Sequence, residues 1–430
     1  MNRGPARSPP PDFVREVPPG GSGPGVRADR LTPVRVRWLA CVLAAAALAL
    51  AGCGGSAEKA SAPAKPVASV GPGEGELKLL AMEGSVENGS SDPRVDWVTP
   101  FTERTGCKVD VRYADTTTLL RTLAEKPTNS YDGILAPPDI AGALVAGRRV
   151  APVNTRLVKR YGDLSKPLRD LPVTKAGSRT YGVPYTWTTD ALLYNSAKVK
   201  PAPDGWSALF DPAKAKKYKG RLMMGDSPLS IGLAALYLKS SRPSLKITDP
   251  YQLTKPQFDA AVKVLKQQKP LVGRYWRESP DAIEAFSTTG AGSAVLGQGQ
   301  PYHLDVLGRA GRPIERADVG RGGTTGSADT WLIGAGGQHP NCMYQWLSWS
   351  ATPDVQSQVA EWTGDAPANP DACDHLGRGF CAAYRADDPD YLGKVTFARL
   401  PTTSCGGDPG RKDCVGYAAW RDQWRRIAGG

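Results

Sequence analysis

The sequence predicts an α/β protein built on a parallel sheet and large enough for two lobes. Three observations carry this prediction. Strand-like and helix-like segments alternate from residue 77 onward, the order that generates strand–helix–strand crossovers. The chain has 430 residues, long for one core and comfortable for two. Hydrophobic residues make up 40% of it and the mean hydropathy is −0.35, values of a globular body and not of a string of membrane spans.

The elements follow in order. Residues 77–82 read as a buried strand and 96–105 as a helix. Residues 108–113 alternate, with Val109, Val111 and Tyr113 on one face, and form a second strand. A helix is predicted at 116–125, a short strand at 131–136 and a helix at 140–146. Further on, Thr254 and Gln257 have the spacing of a capping box. Phe258, Ala261, Val262 and Leu265 then repeat at i, i+3, i+4 and i+7, the apolar stripe of a helix. Residues 330–333 read as a strand, and 343–349 and 355–362 as helices. The last sixty residues, 371–430, hold four Cys among many Gly, Pro and Asp and read as an irregular, disulfide-stapled appendage.

The N-terminal region points to export. Arg35 and Arg37 precede an apolar stretch, 38–50, which runs into Leu50-Ala51-Gly52-Cys53. A charged segment, an apolar core of about a dozen residues and a small-residue cleavage site make a secretory signal peptide. The run is too short to span a bilayer core of roughly 30 Å. Its end resembles the lipobox of bacterial lipoproteins, which implies acylation of Cys53 and a lipid anchor in the membrane. Residues 1–52 are therefore leader and signal peptide. Residues 53–75, rich in Gly, Ser, Ala and Pro, read as a flexible tether.

The formal charge of the whole chain is +12. Without residues 1–52 it holds 47 basic and 39 acidic residues, net +8. The basic residues are scattered, with a single short run at 214–219. No nucleic-acid partner is expected, since that needs a concentrated basic patch. Cys41 lies within the signal core. Six Cys remain beyond Cys53: Cys107, Cys342, Cys373, Cys381, Cys405 and Cys414. An even set in an exported chain favours disulfides. Of fifteen pairings, spacing favours the small loops Cys373–Cys381 and Cys405–Cys414, which leaves Cys107 and Cys342 for a long-range bridge. With three His in the chain, at 303, 339 and 375, and no ligand spacing among them, no metal or cofactor is expected.

Eight segments then occur in a consistent order: FTERTGCKVDV (101–111), YDGILAPPD (131–139), YGVPYTWTTDALLYN (181–195), YKGRLMMGDSP (218–228), ITDPYQLT (247–254), TTGSADTWLIG (324–334), HPNCMYQWLSW (339–349) and VAEWTGDAPANPDAC (359–373). Through them the chain resembles the extracellular solute-binding proteins of ABC importers, of the spermidine/putrescine-binding type. The resemblance implies a two-lobe, periplasmic-binding-protein-like fold (type II) with a hinge and a ligand cleft between the lobes. It places the hinge crossings near 181–195 and 322–329. The first lobe then comprises 76–184 and 321–370, and the second 185–320. The partners it implies are a permease and an ATPase, with the chain itself a monomer.

A polyamine needs carboxylates at its ammonium groups and aromatic faces along its methylenes. The resemblance aligns Asp329 and Asp226 with ligand carboxylates and Asp365 with a cleft-lining residue. Asp226-Ser227-Pro228 is equally a turn signature, with Ser227 beside the acid. Asp139 follows a predicted strand, at the end where open α/β sheets bind ligands, and could equally cap the next helix. Tyr185 and Trp187 lie in the hinge-crossing segment, and Tyr275 and Trp276 follow another strand-like stretch. Trp331 and Trp346 have apolar neighbours and read as core.

The chain departs from the family pattern at four places. Met82-Glu83-Gly84-Ser85 stands where the family has an aromatic pair, with Glu83 a candidate to compensate. Ser327, Gln300 and Leu229 replace two Trp and an acid. The carboxylates and aromatics are thus thinner than in the family, which leaves open a shorter amine, an amino-acid-like cation or another polar solute. Catalysis is not expected, because neither a G-x-S-x-G elbow nor H-E-x-x-H occurs. A surface or sensor lipoprotein of the same fold, without transport, is the alternative role.

Overall fold

Two mixed β-sheets, each under its own hydrophobic core, organise the protein. The computed structural model describes residues 67–430 except 127–129, 291, 378, 387, 406–412 and 430. The leader, the signal peptide and Cys53 lie outside the described residues. No helix among the described residues is long and apolar enough to cross a membrane.

The predicted elements of the first sheet form where local chemistry favours them. Strand Glu76–Met82 pairs in parallel with Lys108–Ala114 and with Gly133–Ala136. Helix Val98–Thr105 starts where Asp96 Oδ1 accepts the N–H groups of Val98 and Thr99, at 3.1 and 2.8 Å. It stops at Gly106, whose φ of 72° is open to a glycine. Helix Thr117–Ala124 is capped by the Thr116 hydroxyl, which accepts from Leu119 N at 3.2 Å.

The first sheet has eight strands, and its main path runs 366–367, 182–189, 324–334, 133–136, 76–82, 108–114. It is not parallel throughout, as the alternation predicted. The long strand Thr324–Gly334 arrives from the other half of the molecule and so runs antiparallel to both Gly133–Ala136 and Gly182–Thr189. The second sheet has five strands in the order 272–276, 222–225, 296–299, 191–195, 314–316. Leu77, Phe101, Ile134, Trp331 and Trp346 belong to the first core. Leu222, Ile231, Phe258 and Leu296 belong to the second. The capping box at Thr254 and Gln257 forms and opens the helix Lys255–Gln268, whose stripe Phe258, Ala261, Val262 and Leu265 is buried.

The chain passes between the sheets three times. The first crossing is Asp190, between Gly182–Thr189 and Ala191–Asn195. The second joins Ile314–Arg316 to Thr324–Gly334. The third follows strand Val395–Phe397, which pairs with the long strand. Ala398, the next residue, already belongs to the second core.

Residues 371–430, expected as an irregular appendage, thus contribute to both halves. Their last helix, Tyr417–Ala428, buries Trp420, Trp424 and Ile427 in the second core, because these recur on one helical face. Residues 67–75, counted with the tether, lie against the first core, onto which Val67 and Val70 pack. Glu74 accepts the N–H groups of Asn341 and Cys342 at 2.9 and 2.8 Å. These are free donors at a helix N-terminus, where a carboxylate also meets the positive end of the dipole. The disulfides are Cys107–Cys342, Cys373–Cys381 and Cys405–Cys414, the arrangement that spacing favours.

Candidate functional site

A cleft of about 1000 Å³ opens between the two sheets. The first sheet's side contributes Met82, Arg121, Asp139, Thr188 and Ser327. The second contributes Asp226, Ser227, Trp276, Arg277 and Gln298, and the C-terminal helix adds Tyr417, Arg421, Trp424 and Arg425.

Pleat alternation decides which residues of the hinge strands face this space. In the antiparallel register Ser327 lies opposite Thr188, Asp329 opposite Thr186, and Ala328 opposite Trp187. Ser327, Asp329, Thr186 and Thr188 therefore share one side of the sheet, where Ser327 and Thr188 line the cleft, and Trp187 and Ala328 share the core side. Trp187, expected to line the cleft, is buried in the core. Its indole N–H donates to Pro367 O at 2.9 Å, and its ring meets Tyr384 and Phe397 edge-on. Tyr185 is likewise buried, edge-on to Trp331 at 5.8 Å. Both expectations fail because a strand shows each face only at every second residue. Glu83 is also displaced from its expected place. It is exposed, outside the cleft lining, and its charge falls on Tyr113, whose hydroxyl is pushed up to about 12 by burial, then Glu87 and Glu83.

The carboxylates divide into two kinds. Asp139 and Asp226 line the cleft but are already paired by the protein. Asp139 sits in the first turn of helix Pro138–Ala146 and caps no N–H of it. Its Oδ2 accepts from Arg121 Nη2 at 2.5 Å and from Tyr417 Oη at 2.7 Å. Both oxygens of Asp226 are engaged, Oδ2 by Arg277 and Oδ1 by Trp424 Nε1 at 2.7 Å. The Ser227 hydroxyl accepts from Leu229 N at 3.2 Å and so shapes the turn. Tyr275 packs edge-on to Trp424 at 5.9 Å, and burial followed by Asp226 pushes its hydroxyl up to about 12. Trp276 donates to Gln298 O at 2.8 Å and lines the cleft.

Asp329 and Asp365 are the second kind. Burial raises Asp329 to about 6, with Asp139 adding to the effect. Burial raises Asp365 to about 7, with Asp329 adding to it. Among the described residues no hydrogen bond or opposite charge to either carboxyl offsets these effects. Three acids thus form a coupled row, and the inner two lack a counter-charge. Such groups carry an electrostatic cost that a nearby opposite charge would relieve.

The sequence reading missed several residues of the cleft. Asp190 is half-buried, and desolvation raises it above its ordinary range although Gln298 Nε2 donates to it at 2.7 Å and the Thr325 hydroxyl also donates. Its signal was an acid set between two strands of largely uncharged residues. Arg121 and Arg277 had no signal beyond their charge. The C-terminal helix had one, since Trp420, Trp424 and Ile427 stand at i, i+4 and i+7.

Residues 96–377 match the family described as bacterial extracellular solute-binding protein. The chain is 24% identical over 288 residues to the putrescine/cadaverine-binding protein of Pseudomonas aeruginosa, covering 64% of this chain and 77% of that one. It is 22% identical over 353 residues to the putrescine-binding periplasmic protein PotF of Escherichia coli, covering 79% and 86%. Among solved structures, the spermidine/putrescine substrate-binding protein PotD of Streptococcus pneumoniae superposes with a TM-score of 0.62 at 15% identity, over 82% of this chain and 98% of that one. The TpPotD lipoprotein of Treponema pallidum gives 0.63 at 12% identity, over 83% and 100%. The fold is accordingly periplasmic-binding-protein-like. With the family matched over more than half of its length, the chain belongs to the bacterial extracellular solute-binding proteins.

Proposed function

We propose that the protein is the solute-capturing component of an ABC importer for a small cation of the polyamine type, such as putrescine or spermidine. It acts outside the membrane, anchored by lipid on Cys53, and hands its solute to a permease driven by an ATPase. The observation that carries this reading is the pair Asp329 and Asp365, half-buried carboxyls without a counter-charge, with Asp139 beside them. A primary ammonium supplies the missing positive charge and three N–H donors. The diamine-binding relatives support the same ligand class. The role is binding and release, with no bond made or broken, and hinge closure about the solute is the state that a permease reads.

A thermal-shift screen tests the proposal, using the chain without its first 53 residues. The panel holds putrescine, spermidine, basic amino acids and acidic controls. A ligand at 100 times its Kd adds about 2.7 kcal/mol to a fold that alone binds it. Stabilisation by the polyamines supports the reading. Stabilisation by another class only, or by none, discards polyamine as the cargo.

A further inference from the structure

Lysines from three separate stretches of the sequence meet at one end of the second half. Gly220 N donates to Leu271 O at 2.8 Å, and strand Leu222–Gly225 then pairs in parallel with Val272–Trp276. The segments that enter these two strands therefore lie side by side. One carries Lys216, Lys217 and Lys219, all exposed, and the other carries the half-buried Lys269. Helix Lys255–Gln268 ends at the same place, where Gln268 Nε2 donates to Leu209 O at 2.9 Å, and it adds Lys263 and Lys266 on its exposed face. The far ends of the two strands, Gly225 and Trp276, line the cleft. The lysines thus occupy the end of this half that points away from the solute site. Acids close to them in sequence are already engaged, Asp204 by Lys214 at 3.2 Å, Asp211 by Ala213 N at 2.9 Å and Asp259 by Lys255. Among the described residues no ion pair holds any of the six lysines, whereas Lys166 and Lys175 in the first half share Asp170. Beside them a groove of about 400 Å³ runs between helix Lys255–Gln268 and the C-terminal helix, lined by Lys263, Lys266, Gln267 and Gln423.

We propose that this lysine face is a docking surface for an anionic membrane, with the lipid phosphates facing the six ammonium groups and a headgroup entering the groove beside Lys263 and Lys266. A patch of one sign without counter-charges produces a local field that draws anions to it. Lysine suits a fluid layer of phosphates, because its ammonium is a compact charge on a flexible stem and needs no fixed partner geometry. The field reaches about one Debye length, roughly 8 Å at physiological salt, so it acts on a protein already held near the surface. Val67 and Val70, which follow the tether, pack on the first core, and the lysines belong to the second half. Tether and lysine face are therefore two separate holds on the same membrane, one on each half. The inference goes beyond the solute reading and stands whatever the cleft takes.

The test uses the chain without its first 53 residues, which keeps every described residue and carries no lipid. It is sedimented with vesicles of phosphatidylglycerol mixed with phosphatidylcholine, and with vesicles of phosphatidylcholine alone. Binding is expected to the anionic vesicles only, and is expected to vanish near about 1 M salt, where the Debye length shrinks to about 3 Å. Lys216→Ala, Lys217→Ala, Lys263→Ala and Lys266→Ala combined should weaken it at least about a hundredfold, since each lysine at an anionic surface is worth about fivefold. A control removes the same charge from the first half, through Lys108→Ala, Lys126→Ala, Lys159→Ala and Lys394→Ala, and should keep most of the binding. Equal binding to both kinds of vesicle overturns the docking surface, and so does an equal loss in the two variants, which would leave net charge as the cause. Binding to polyphosphate with none to the anionic vesicles also overturns it and assigns the lysines to a different anion. Thermal shifts with putrescine are read separately, so a failed cargo and a failed docking surface are told apart.

Discussion

The raised carboxyls of Asp329 and Asp365 couple the stability of the fold to pH. In the folded chain they hold protons up to about pH 6 and about pH 7, whereas the unfolded chain releases them near the ordinary value of 3.8. Between those limits the native state binds more protons, so its stability falls as pH rises. Replacing both by Asn should flatten that slope and raise the unfolding free energy at pH 8 by about 2 kcal/mol, as read from urea titrations at several pH values. A bound ammonium reverses the sense, because it needs the charged carboxyls. Calorimetry should therefore show putrescine affinity rising about tenfold from pH 5 to pH 8. Asp329→Asn should remove most of that rise and weaken binding at pH 8 by about 2–5 kcal/mol. A slope that survives in this variant would assign the dependence to other groups. The sequence reading singled out these two acids through the resemblance. The pairing of Asp139 with Arg121 and Tyr417 was not, since those partners come from helices 18 and 278 residues away.

Among the elements, the long strand Thr324–Gly334 and the C-terminal helix show where reading a sequence works and where it stops. The strand was recognisable from its apolar end, but which of its faces lines the cleft depends on register. A shift of one residue would exchange Ser327 and Asp329 for Ala328. That ambiguity sent Trp187 and Tyr185 to the wrong side in the sequence reading, though the residues named on the neighbouring strand were close by. The helix Tyr417–Ala428 was hidden by its surroundings. Gly, Pro, Asp and Cys dominate the residues before it and mask an ordinary amphipathic stripe. Its burial can be tested. Trp420 is fully buried and packs on Tyr251 and Phe258, so Trp420→Ala should cost about 3–5 kcal/mol in chemical denaturation. A loss below about 1 kcal/mol would mean that the helix is only loosely attached.

At the scale of the molecule, the even cysteine count and the loop spacings were enough to suggest the bridges, because small loops close readily and leave one distant pair. Cys107–Cys342 joins residues 235 apart and ties the start of strand Lys108–Ala114 to helix Pro340–Ser350. A loop of this length restricts the unfolded chain strongly, by about 5 kcal/mol in the chain-entropy account. Cys107→Ala with Cys342→Ala should lower stability by about 3–5 kcal/mol in thermal or urea unfolding, and a negligible loss would refute the bridge's contribution. Two sheets were foreseeable from length and resemblance. The third strand crossing was not, because Val395–Phe397 is only three residues long and carries no periodicity of its own. Yet that third link has a mechanical consequence. Two bodies joined by one strand can swivel in every direction, and two strands remove part of that freedom. Three connections set side by side behave like the leaves of a door hinge, bending readily about one line and resisting twist and sideways slip. The halves can then part and meet again along a single path, which returns the acids and the arginines of the opposing walls to the same alignment at every cycle.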